Sequence, residues 1–556
     1  MSKVSNDEFL FVPLGGAGEI GMNLNLYGYG PPGDETWLMI DLGVTFNDGA
    51  LPGVDVIMPD PSFIEERKDN LAALVLTHAH EDHVGAVQYL WPRLRCPIYA
   101  TPFTISVLKR KLGETDFGDQ VEIIEVPLGG TFSIGPFDLE LITLTHSIPE
   151  PNAIALTTPL GTVLHTGDWK FDPDPVIGDA ADEDALRRVG EQGALAVVCD
   201  STNVFTPGES GSEADILENL TKIIADAEGR VAVACFATNV ARLETISAAA
   251  RANGRDVVLA GRSLKRIVEA SRENGYLADV PAFLDEEDAG FLPNDKTLII
   301  CTGSQGEPRA ALARIAANDH PRITLGEGDS VIFSSRVIPG NEQVIGDMQA
   351  KLAKRGIKII TPRDAMIHVS GHPARDELAR MYQHVRPQIA IPVHGEYRHL
   401  VEHAALAREC QVAEALITEN GAVARLAPGP AGVIDHVPSG RLVVEGNRLI
   451  PVGSEVIKSR IRTMWHGFAV VTAVLDANGL AEGPQISTSG LLDDEDDPLL
   501  DRVRLAVRHA IDNMAPDKNG SDDDKTSEAV RIAARRAFRE ILDKRPITRV
   551  HLVRIG

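Results

Sequence analysis

The chain has 556 residues, which is too long for one hydrophobic core, so two to four domains are expected. An apolar fraction of 44% and a charged fraction of 24% are typical of a soluble globular protein, and no apolar run approaches the roughly 18 residues that span a bilayer. A net charge of −26 argues against a protein that coats nucleic acid through a broad basic face, although a nucleic-acid enzyme with metal ions and a local groove remains open.

Two features of the sequence bear on its location. The first residues lack a basic region followed by an apolar core, so we expect no secretory signal. The five cysteines are scattered, and none lies in a Cys-x-x-Cys motif. They are typical of reduced thiols, and we expect a cytoplasmic protein with no membrane partner.

Residues 8 to about 200 alternate short apolar runs with turn signals. The predicted strands are 10–14, 37–42, 71–76, 97–100, 121–126, 139–144, 162–165 and 194–199. Helical spacing is scarce in this part and appears at 85–94 and 105–112. A strand-rich layer with a few helices packed on it is therefore expected.

From about residue 205 to residue 365, helical and strand patterns alternate. The predicted helices are 216–227, 241–252 and 265–273, and the predicted strands are 231–235, 256–260, 298–301 and 330–333. This alternation indicates a parallel α/β domain. Residues 366–445 are predicted to return to strands with turns, and 389–393 is the clearest of these strands.

The C-terminal part, residues 457–556, is predicted to be a small α/β domain that follows a boundary near 446–456. It contains the acidic run 493–497, a polar segment near 514–526 that is predicted to be mobile, and a predicted helix at 527–542. The basic face of that helix is predicted to be solvated or to contact another subunit, with RNA guidance as the alternative. Its residues are Arg531, Arg535, Arg536 and Arg539.

A glycine motif near the start resembles a dinucleotide-binding fingerprint. Gly16, Gly18 and Gly21 match Gly-x-Gly-x-x-Gly, and Asp41 lies 20 residues after the last of them. The motif requires a helix that begins at the glycines, but residues 23–27 alternate like a strand. We therefore predict a turn between two strands and no nucleotide cofactor.

Metal-capable side chains are concentrated directly after the predicted strand 71–76. His78, His80, Asp82 and His83 fall within six residues, and imidazoles with a carboxylate suit zinc or manganese. The alternative is a His-rich surface loop. Similar side chains end other predicted strands, namely Asp41, His146, Asp168 and His394. Their convergence would supply the six or seven ligands that a two-metal site needs, whereas His165 is predicted to be structural.

These strand-end motifs resemble the metallo-β-lactamase superfamily over roughly residues 10–445. His394 lies 226 positions after Asp168, which leaves room for an inserted domain, and this organisation is similar to that of the β-CASP branch of nucleic-acid nucleases. Together with Asp200 in Cys-Asp-Ser-Thr-Asn, Ser370-Gly-His372, residues 302–308 and the added C-terminal domain, the match is closest to the ribonuclease J family.

The resemblance implies an α/β fold in which a metallo-β-lactamase αββα sandwich carries an inserted α/β β-CASP domain and a small α/β C-terminal domain. The implied boundaries are 1–205 and 366–448 for the two parts of the sandwich, 206–365 for the β-CASP domain and 449–556 for the linker and C-terminal domain.

The resemblance also implies two divalent metal ions per subunit, with zinc expected first and manganese or magnesium as alternatives. One ion would be held by His78, His80 and His146, and the other by Asp82, His83 and His394. Asp168 would bridge the two ions, and Asp41 would orient the metal-binding loop by hydrogen bonds.

The expected reaction is hydrolysis of RNA phosphodiester bonds. Asp82 or Asp168 would accept a proton from the attacking water. His372 would serve the leaving 3′-oxygen, with Asp200 or Glu396 orienting it, although a structural hydrogen bond is the alternative for His372.

Ribonuclease J resemblance further implies 5′-to-3′ exonuclease action on 5′-monophosphorylated RNA besides endonuclease cuts, in RNA maturation and decay. The candidates for the terminal-phosphate pocket are Thr238, Asn239, Ser334, Ser335, Arg336, Ser370 and His372. Phe46 could stack on a base. For these residues the alternative is ordinary turns and packing, and Thr238 stands where the family pattern has serine.

The expected partners are single-stranded RNA, further copies of the chain in a homodimer or homotetramer built through the C-terminal domain, and an RNA-degradation complex. The alternative functions are a β-CASP nuclease that acts on DNA or only internally, a small-molecule hydrolase of the superfamily, and a non-catalytic RNA-binding scaffold. The complete ligand set and the inserted domain favour the ribonuclease.

Overall fold

Two β-sheets packed face to face form the frame of the larger of two units in this computed structural model. The structure describes residues 6–47, 49–338, 340–476, 479–493, 496–514 and 522–555. The larger unit comprises Met1–Phe46 and Val56–Leu442, and the smaller comprises Asn47–Asp55 and Val443–Gly556. Among the described residues, none of the helices combines the length and apolarity that crossing a membrane would require.

The first sheet of the larger unit has eight strands and the second has seven. In spatial order the first contains Gly432–His436, Ala422–Ala427, Glu8–Gly15, Leu24–Gly30, Thr36–Ile40, Leu71–Val75, Ile98–Ala100 and Ile123–Glu125. The second contains Thr131–Ile134, Phe137–Thr143, Asn152–Thr158, Gly161–His165, Ala194–Asp200, Ile389–Val393 and Glu414–Ala415. Every strand predicted before residue 200 is found within two residues of its predicted ends, whereas 131–134 and 152–158 were not predicted.

The core between the two sheets follows from alternation along the strands. Phe137, Leu139 and Leu141 point into it, while Asp138 between them is exposed. Phe11 and Tyr27 from the first sheet enter the same cluster. A second cluster lies on the other face of the second sheet, where Leu186 and Leu378 come from two helices.

The larger unit contains twelve α-helices among its described residues. They are Ser62–Glu65, Glu81–Val84, Val87–Leu94, Pro102–Leu112, Glu183–Gln192, Asp215–Ala225, Val240–Ala252, Arg262–Glu273, Ala311–Ala317, Glu342–Ala353, Arg375–Val385 and Tyr397–Glu409. Single 3-10 turns occur at Lys68–Asn70, Gly118–Gln120 and Asn294–Lys296. Helices on packed sheets, with a further α/β domain inserted, confirm the predicted fold class.

The inserted domain is built on a five-stranded, wholly parallel sheet. In spatial order its strands are Asp256–Ala260, Thr297–Cys301, Val231–Ala234, Ser330–Phe333 and Lys358–Ile360. Val231 and Val233 pack into one hydrophobic cluster, and Ala232 and Ala234 pack into another on the opposite face. Because both faces are covered by helices, the strands appear in the sequence as continuous apolar runs.

The prediction of strands and turns throughout 366–445 was wrong, because two helices lie there. In Arg375–Val385 the buried apolar side chains are Leu378, Met381, Tyr382 and Val385, a spacing that places them on one helical face. The carboxylate of Glu377 accepts a hydrogen bond from the backbone of Ala374 and secures the first turn.

The glycine motif forms a turn between the antiparallel strands Glu8–Gly15 and Leu24–Gly30, as predicted. Gly16, Gly18 and Gly21 all have φ between 87° and 89°, a left-handed conformation that favours glycine. Ala17 and Gly18 pair in parallel with Gly395 and Glu396, so the turn lies against the segment that carries His394.

The smaller unit packs two helices on one sheet. Its elements include strands Phe468–Asp476, Gly479–Leu480, Gln485–Ser489 and Ile547–Arg554, and helices Glu455–His466, Asp497–Asp512 and Asp523–Leu542. The last helix begins before its predicted start, because Asp522 caps the backbone N–H groups of Asp524 and Lys525. Residues 515–521 of the predicted polar segment, and 494 and 495 of the acidic run, lie outside the described residues.

Short strands complete the description. Thr45–Phe46 pairs antiparallel with Val56–Pro59. Arg441–Glu445 and Arg448–Pro451 precede the first helix of the smaller unit.

Candidate active site

The metal-capable side chains lie just beyond the carboxyl ends of strands, where rigid backbone orients them. In the second sheet, Gly161–His165, Ala194–Asp200 and Ile389–Val393 are adjacent and parallel. Their carboxyl ends therefore share one edge and present Asp168, Asp200 and His394 together. The strand Leu71–Val75 of the first sheet leads into the histidine cluster on the same side.

Three imidazoles and a carboxylate form the first group. The ligand atoms of His78, His80, His146 and Asp168 all lie within 4.8 Å of one another. Nδ1 of His80 is 3.1 Å from Nε2 of both His78 and His146. Nδ1 of His146 donates to the carbonyl of Gly371 at 2.5 Å, which leaves Nε2 as the ligand atom.

The second group is more acidic and shares Asp168 with the first. The ligand atoms of Asp82, His83, Asp168 and His394 also lie within 4.8 Å of one another. Nε2 of His83 is 3.2 Å from Asp168 and Nε2 of His394 is 3.1 Å from Asp82. The structure therefore brings together all seven residues that the resemblance named as ligands, in the two sets it named. A third set of side chains at the same spacing joins Asp168 and His394 to Asp200 and His372.

The donor set fits divalent cations. Oδ1 of Asp168 is buried and has no hydrogen-bond partner among the described residues, which is costly for a carboxylate unless a cation satisfies it. The imidazole nitrogens that face each other across the first group cannot all carry protons. Imidazoles with carboxylates are typical ligands of borderline metals such as zinc.

Asp41 lies beneath the second group, fully buried, with a left-handed φ of 63°. Its carboxylate accepts hydrogen bonds from the backbone N–H and the hydroxyl of Thr77, both at 2.8 Å. It also accepts from Nδ1 of His83 at 2.7 Å, which turns Nε2 of His83 toward Asp168. Gly43 completes this packing, since a Cβ there would lie 1.7 Å from the carbonyl of Asp82.

His372 is placed above the shared carboxylate. Its Nδ1 donates to the buried Asp200 at 2.8 Å, so Nε2 remains for a substrate, and about a quarter of the side chain is exposed (23%). Glu396 is exposed and accepts from Arg398, so Asp200 rather than Glu396 holds His372. The hydroxyl of Thr202 joins Asp200 to Nδ1 of His394 at 2.7 and 2.8 Å.

The electrostatics of the site differ between the imidazoles of the first group, which stay neutral, and His372. Burial lowers the pKa of His80 to about 4 and holds the pKa of His78 and His146 well below the usual value. For His372, burial lowers the pKa, but the charges of Asp200 and Asp168 outweigh it and raise the pKa overall. His372 therefore retains a proton to higher pH than an ordinary histidine.

Burial raises the pKa of the central carboxylates, but the facing histidines reverse this effect. The pKa of Asp168 is held well below its usual range by His394 and His83, and that of Asp82 is lowered mainly by His83. Both carboxylates are therefore ionised at neutral pH.

A cluster of polar side chains around Arg336 adjoins His372. The guanidinium of Arg336 donates to Oδ1 of Asn203 at 2.8 Å, and Ser370 accepts from Nδ2 of Asn203 at 2.6 Å. His368 lies close by, and Nδ1 of its ring is without a hydrogen-bond partner in the part of the chain described. Burial, followed by the charges of Arg242, Arg336 and Lys170, lowers the pKa of His368 to about 3.

The predicted phosphate-binding residues have different surroundings. Ser370 and Arg336 belong to this cluster, but the hydroxyl of Ser334 is occupied in a buried network with Arg242 and the carbonyl of Ile367. Oδ1 of Asn239 caps the helix Val240–Ala252. Ser335 is buried and accepts from Gln305 at 3.4 Å.

The remaining predicted residues are simpler to place. Thr238 lies partly buried in the turn before that helix, and Phe46 is 62% exposed. His165 contacts the hydroxyl of Tyr27 at 3.0 Å and belongs to neither metal group. On the terminal helix, Arg531 is paired with Glu528.

Four residues with clear positions in the site were not predicted: Thr77, Thr202, Asn203 and His368. The first three directly follow predicted strand ends or lie beside predicted site residues, which was a usable signal. His368 lies two residues before Ser370 and outside the predicted motif Ser370-Gly371-His372.

Comparisons with known proteins agree with this geometry. Family models match over four consecutive segments: the metallo-beta-lactamase superfamily at 26–225, the ribonuclease J beta-CASP domain at 228–352, the Zn-dependent metallo-hydrolase RNA specificity domain at 356–417 and the ribonuclease J C-terminal domain at 455–555. Together these segments cover most of the chain.

Relatives from several bacteria match this chain over most of their length. The chain is 45% identical to Ribonuclease J of Sinorhizobium meliloti over 99% of this chain and 98% of the relative. It is 38% identical to Ribonuclease J of Mycolicibacterium smegmatis over 96% and 95% of the two chains. Identity to Ribonuclease J2 of Bacillus subtilis is 32% over 88% and 89%.

A solved structure supports the fold alone. A protein of unknown function from Enterococcus faecalis aligns with a TM-score of 0.52 at 18% identity, covering 75% of this chain and all of that one. The metallo-β-lactamase fold implies divalent metal binding, in agreement with the two ligand groups. From its domain order and from full-length relatives at 45% identity, the chain belongs to the ribonuclease J family of metal-dependent ribonucleases.

Proposed function

We propose that this metal-dependent ribonuclease uses two divalent cations, most simply zinc, to degrade 5′-monophosphorylated RNA in the 5′-to-3′ direction and also to cut RNA internally. Manganese or magnesium would serve as alternatives. The single observation that carries the proposal is the pair of ligand groups that share Asp168, with His372 above them. Such a ribonuclease would act in RNA maturation and decay.

The seven ligand residues would hold the cations, His78, His80 and His146 on one side and Asp82, His83 and His394 on the other, with Asp168 between. When bound, the cations supply charge neutralisation for the scissile phosphate and acidify a water. The carboxylates of Asp82 and Asp168 are ionised, because the histidines around them keep their pKa low, and they are proposed as the acceptors of the proton that this water loses.

His372 is proposed to protonate the leaving 3′-oxygen. Asp200 fixes the ring through Nδ1 and raises the pKa, so the proton on Nε2 is retained near neutral pH. This arrangement is that of a general acid oriented by a carboxylate. The backbone carbonyl of Gly371 accepts a hydrogen bond from Nδ1 of His146. This bond connects the loop that carries His372 to the first metal group.

Recognition of the 5′-phosphate is proposed to rest on Arg336, Ser370 and His368. The hydroxyl of Ser370 accepts hydrogen bonds from Asn203 and from the backbone of His372, so its own proton is available to donate to an anion. Arg336 supplies positive charge. Thr238 and the exposed Phe46 remain candidates for contacts with the first nucleotides.

The RNA specificity domain supports RNA as the substrate. A homodimer or homotetramer formed through the C-terminal domain, and membership of an RNA-degradation complex, are proposed from the family resemblance. The exposed arginines Arg536 and Arg539 on the terminal helix suit a subunit contact or RNA guidance.

One assay tests the proposal. End-labelled single-stranded RNA with a 5′-monophosphate or a 5′-triphosphate, and matched DNA, are incubated with the enzyme and zinc, manganese or magnesium. Release of mononucleotides from the monophosphorylated RNA supports the proposal. Absence of RNA cleavage, or cleavage that His80→Ala leaves unchanged, would refute it.

A further inference from the structure

The side chain of Asn203 connects Arg336 to the loop that carries Ser370 and His372. Nδ2 donates to the hydroxyl of Ser370 at 2.6 Å and to the backbone carbonyl of His372 at 3.1 Å. Oδ1 accepts from the guanidinium of Arg336 at 2.8 Å. The side chain is almost fully buried (4% exposed), so water does not compete for these bonds.

The geometry of an amide makes these contacts interdependent. Oδ1 and Nδ2 belong to one planar group. When Arg336 moves and pulls Oδ1 with it, Nδ2 therefore moves as well. Asn203 lies three residues after Asp200, which holds the ring of His372. The same short segment therefore fixes both the ring and the backbone of this histidine.

The other side of Arg336 is held firmly. The amide of Gln305 donates to the backbone carbonyl of Arg336 at 2.8 Å and accepts from the backbone of Ile338 at 2.9 Å. Because the backbone is fixed, the exposed guanidinium is the part of Arg336 that can respond to an anion. Within the described part of the chain, the guanidinium donates to the side chain of Asn203, and that contact carries a response toward His372.

We propose that Asn203 is a positioning residue that couples a terminal phosphate at Arg336 to the placement of His372, and so sets the preference for 5′-phosphorylated ends. The inference rests on the proposed function, since it needs both a phosphate pocket and a proton donor at His372. Under this inference, a terminal phosphate bound at Arg336 raises turnover as well as affinity.

The test compares two RNAs that differ only in a 5′-monophosphate or a 5′-hydroxyl. Turnover and KM are measured for the wild type, Asn203→Ala, Arg336→Ala and the double variant, with metal content determined for each. Asn253→Ala is the matched control, because its amide also bridges backbone carbonyls, those of Thr221 and Ala249, but within a helical surface of the inserted domain.

We expect Asn203→Ala to lower the monophosphate-to-hydroxyl ratio of kcat/KM at least tenfold, mainly through kcat, with metal content unchanged. In the double variant the ratio should be no lower than in the more strongly affected single variant, because both substitutions break the same connection from Arg336 to His372. Asn253→Ala should keep the wild-type ratio. If Asn203→Ala does not fold, Asn203→Asp serves instead, since it keeps the shape but loses the donor to His372, and the ratio should fall as well.

Two outcomes would count against the idea in different ways. If Asn203→Ala lowers kcat/KM equally on both RNAs, or if the effects of the two substitutions on the ratio multiply in the double variant, Asn203 only supports the packing of the loop. The proposed function would then still stand. A wild-type enzyme that cleaves both RNAs equally would overturn the 5′-phosphate pocket itself, and the coupling with it.

Discussion

Replacing Asp41 by asparagine should weaken metal binding although Asp41 is not in either ligand group. The carboxylate accepts three hydrogen bonds of 2.7–2.8 Å, two from Thr77 and one from His83. An asparagine keeps one acceptor oxygen for the backbone of Thr77. Its amide nitrogen cannot accept from the Thr77 hydroxyl or from Nδ1 of His83, so His83 loses the contact that orients it.

Loss of such a supporting carboxylate typically lowers metal affinity about 10- to 100-fold, which corresponds to about 1.4–2.8 kcal/mol. Metal-stripped protein would be titrated with zinc in a calorimeter. Asp329→Asn is the matched control, because Asp329 is buried and accepts backbone N–H groups of Arg230 and Gly326 at 2.7 and 2.8 Å, outside the metal groups.

Asp41→Asn should therefore bind zinc more weakly while Asp329→Asn binds it normally, even if both variants are less stable. The reasoning is wrong if Asp41→Asn keeps wild-type zinc affinity. It is equally wrong if Asp329→Asn loses as much, since the effect would then be a general loss of stability.

Further changes have distinct expected results. His372→Ala should lower turnover about 10²- to 10⁴-fold with metal content unchanged, and metal loss measured by atomic emission would instead identify a ligand. If protonated His372 is the acid, kcat should fall as pH rises through the raised pKa of His372. Asp200→Asn removes the charge that raises this pKa most, so kcat should begin to fall at a lower pH in the variant. An unchanged pH profile of kcat would contradict the assignment. Arg242→Ala leaves the buried carboxylate of Glu213 without its partner and should destabilise the protein by about 3–5 kcal/mol. The melting temperature should therefore fall far more than in the control Arg266→Ala, which breaks an exposed ion pair. A chelator should lower the melting temperature of the wild type and added zinc should restore it, because the cations bind only the folded site; an unchanged melting temperature would count against bound metal.

The fold class and the two ligand groups were accessible from the sequence because their signals are local. A cluster such as His78–His83 after an apolar run marks a strand end, and the resemblance connected it to Asp168 and His394. The helix Arg375–Val385 was missed although its apolar residues have helical spacing, because the region was interpreted as strands with turns around 389–393.

The pocket beside His372 could not be predicted in the same way. Asn203 and Arg336 are 133 residues apart and meet only because strands of two different sheets end near each other. Ser334 was expected at the phosphate, but its hydroxyl is occupied by Arg242, which comes from a helix packed beneath it. No local pattern records such a partner, because the contact depends on how the inserted domain packs.

The order of ligands along the chain affects when activity can arise during synthesis. The strand Ile389–Val393 enters the second sheet between Ala194–Asp200 and Glu414–Ala415, and His394 follows it. A growing chain that has already folded its first 200 residues holds His78, His80 and His146 but not His394. A ribosome translating this message therefore carries an incomplete nuclease until His394, which follows the inserted domain, has emerged, and the messenger RNA beside it is not exposed to a finished active site before that point.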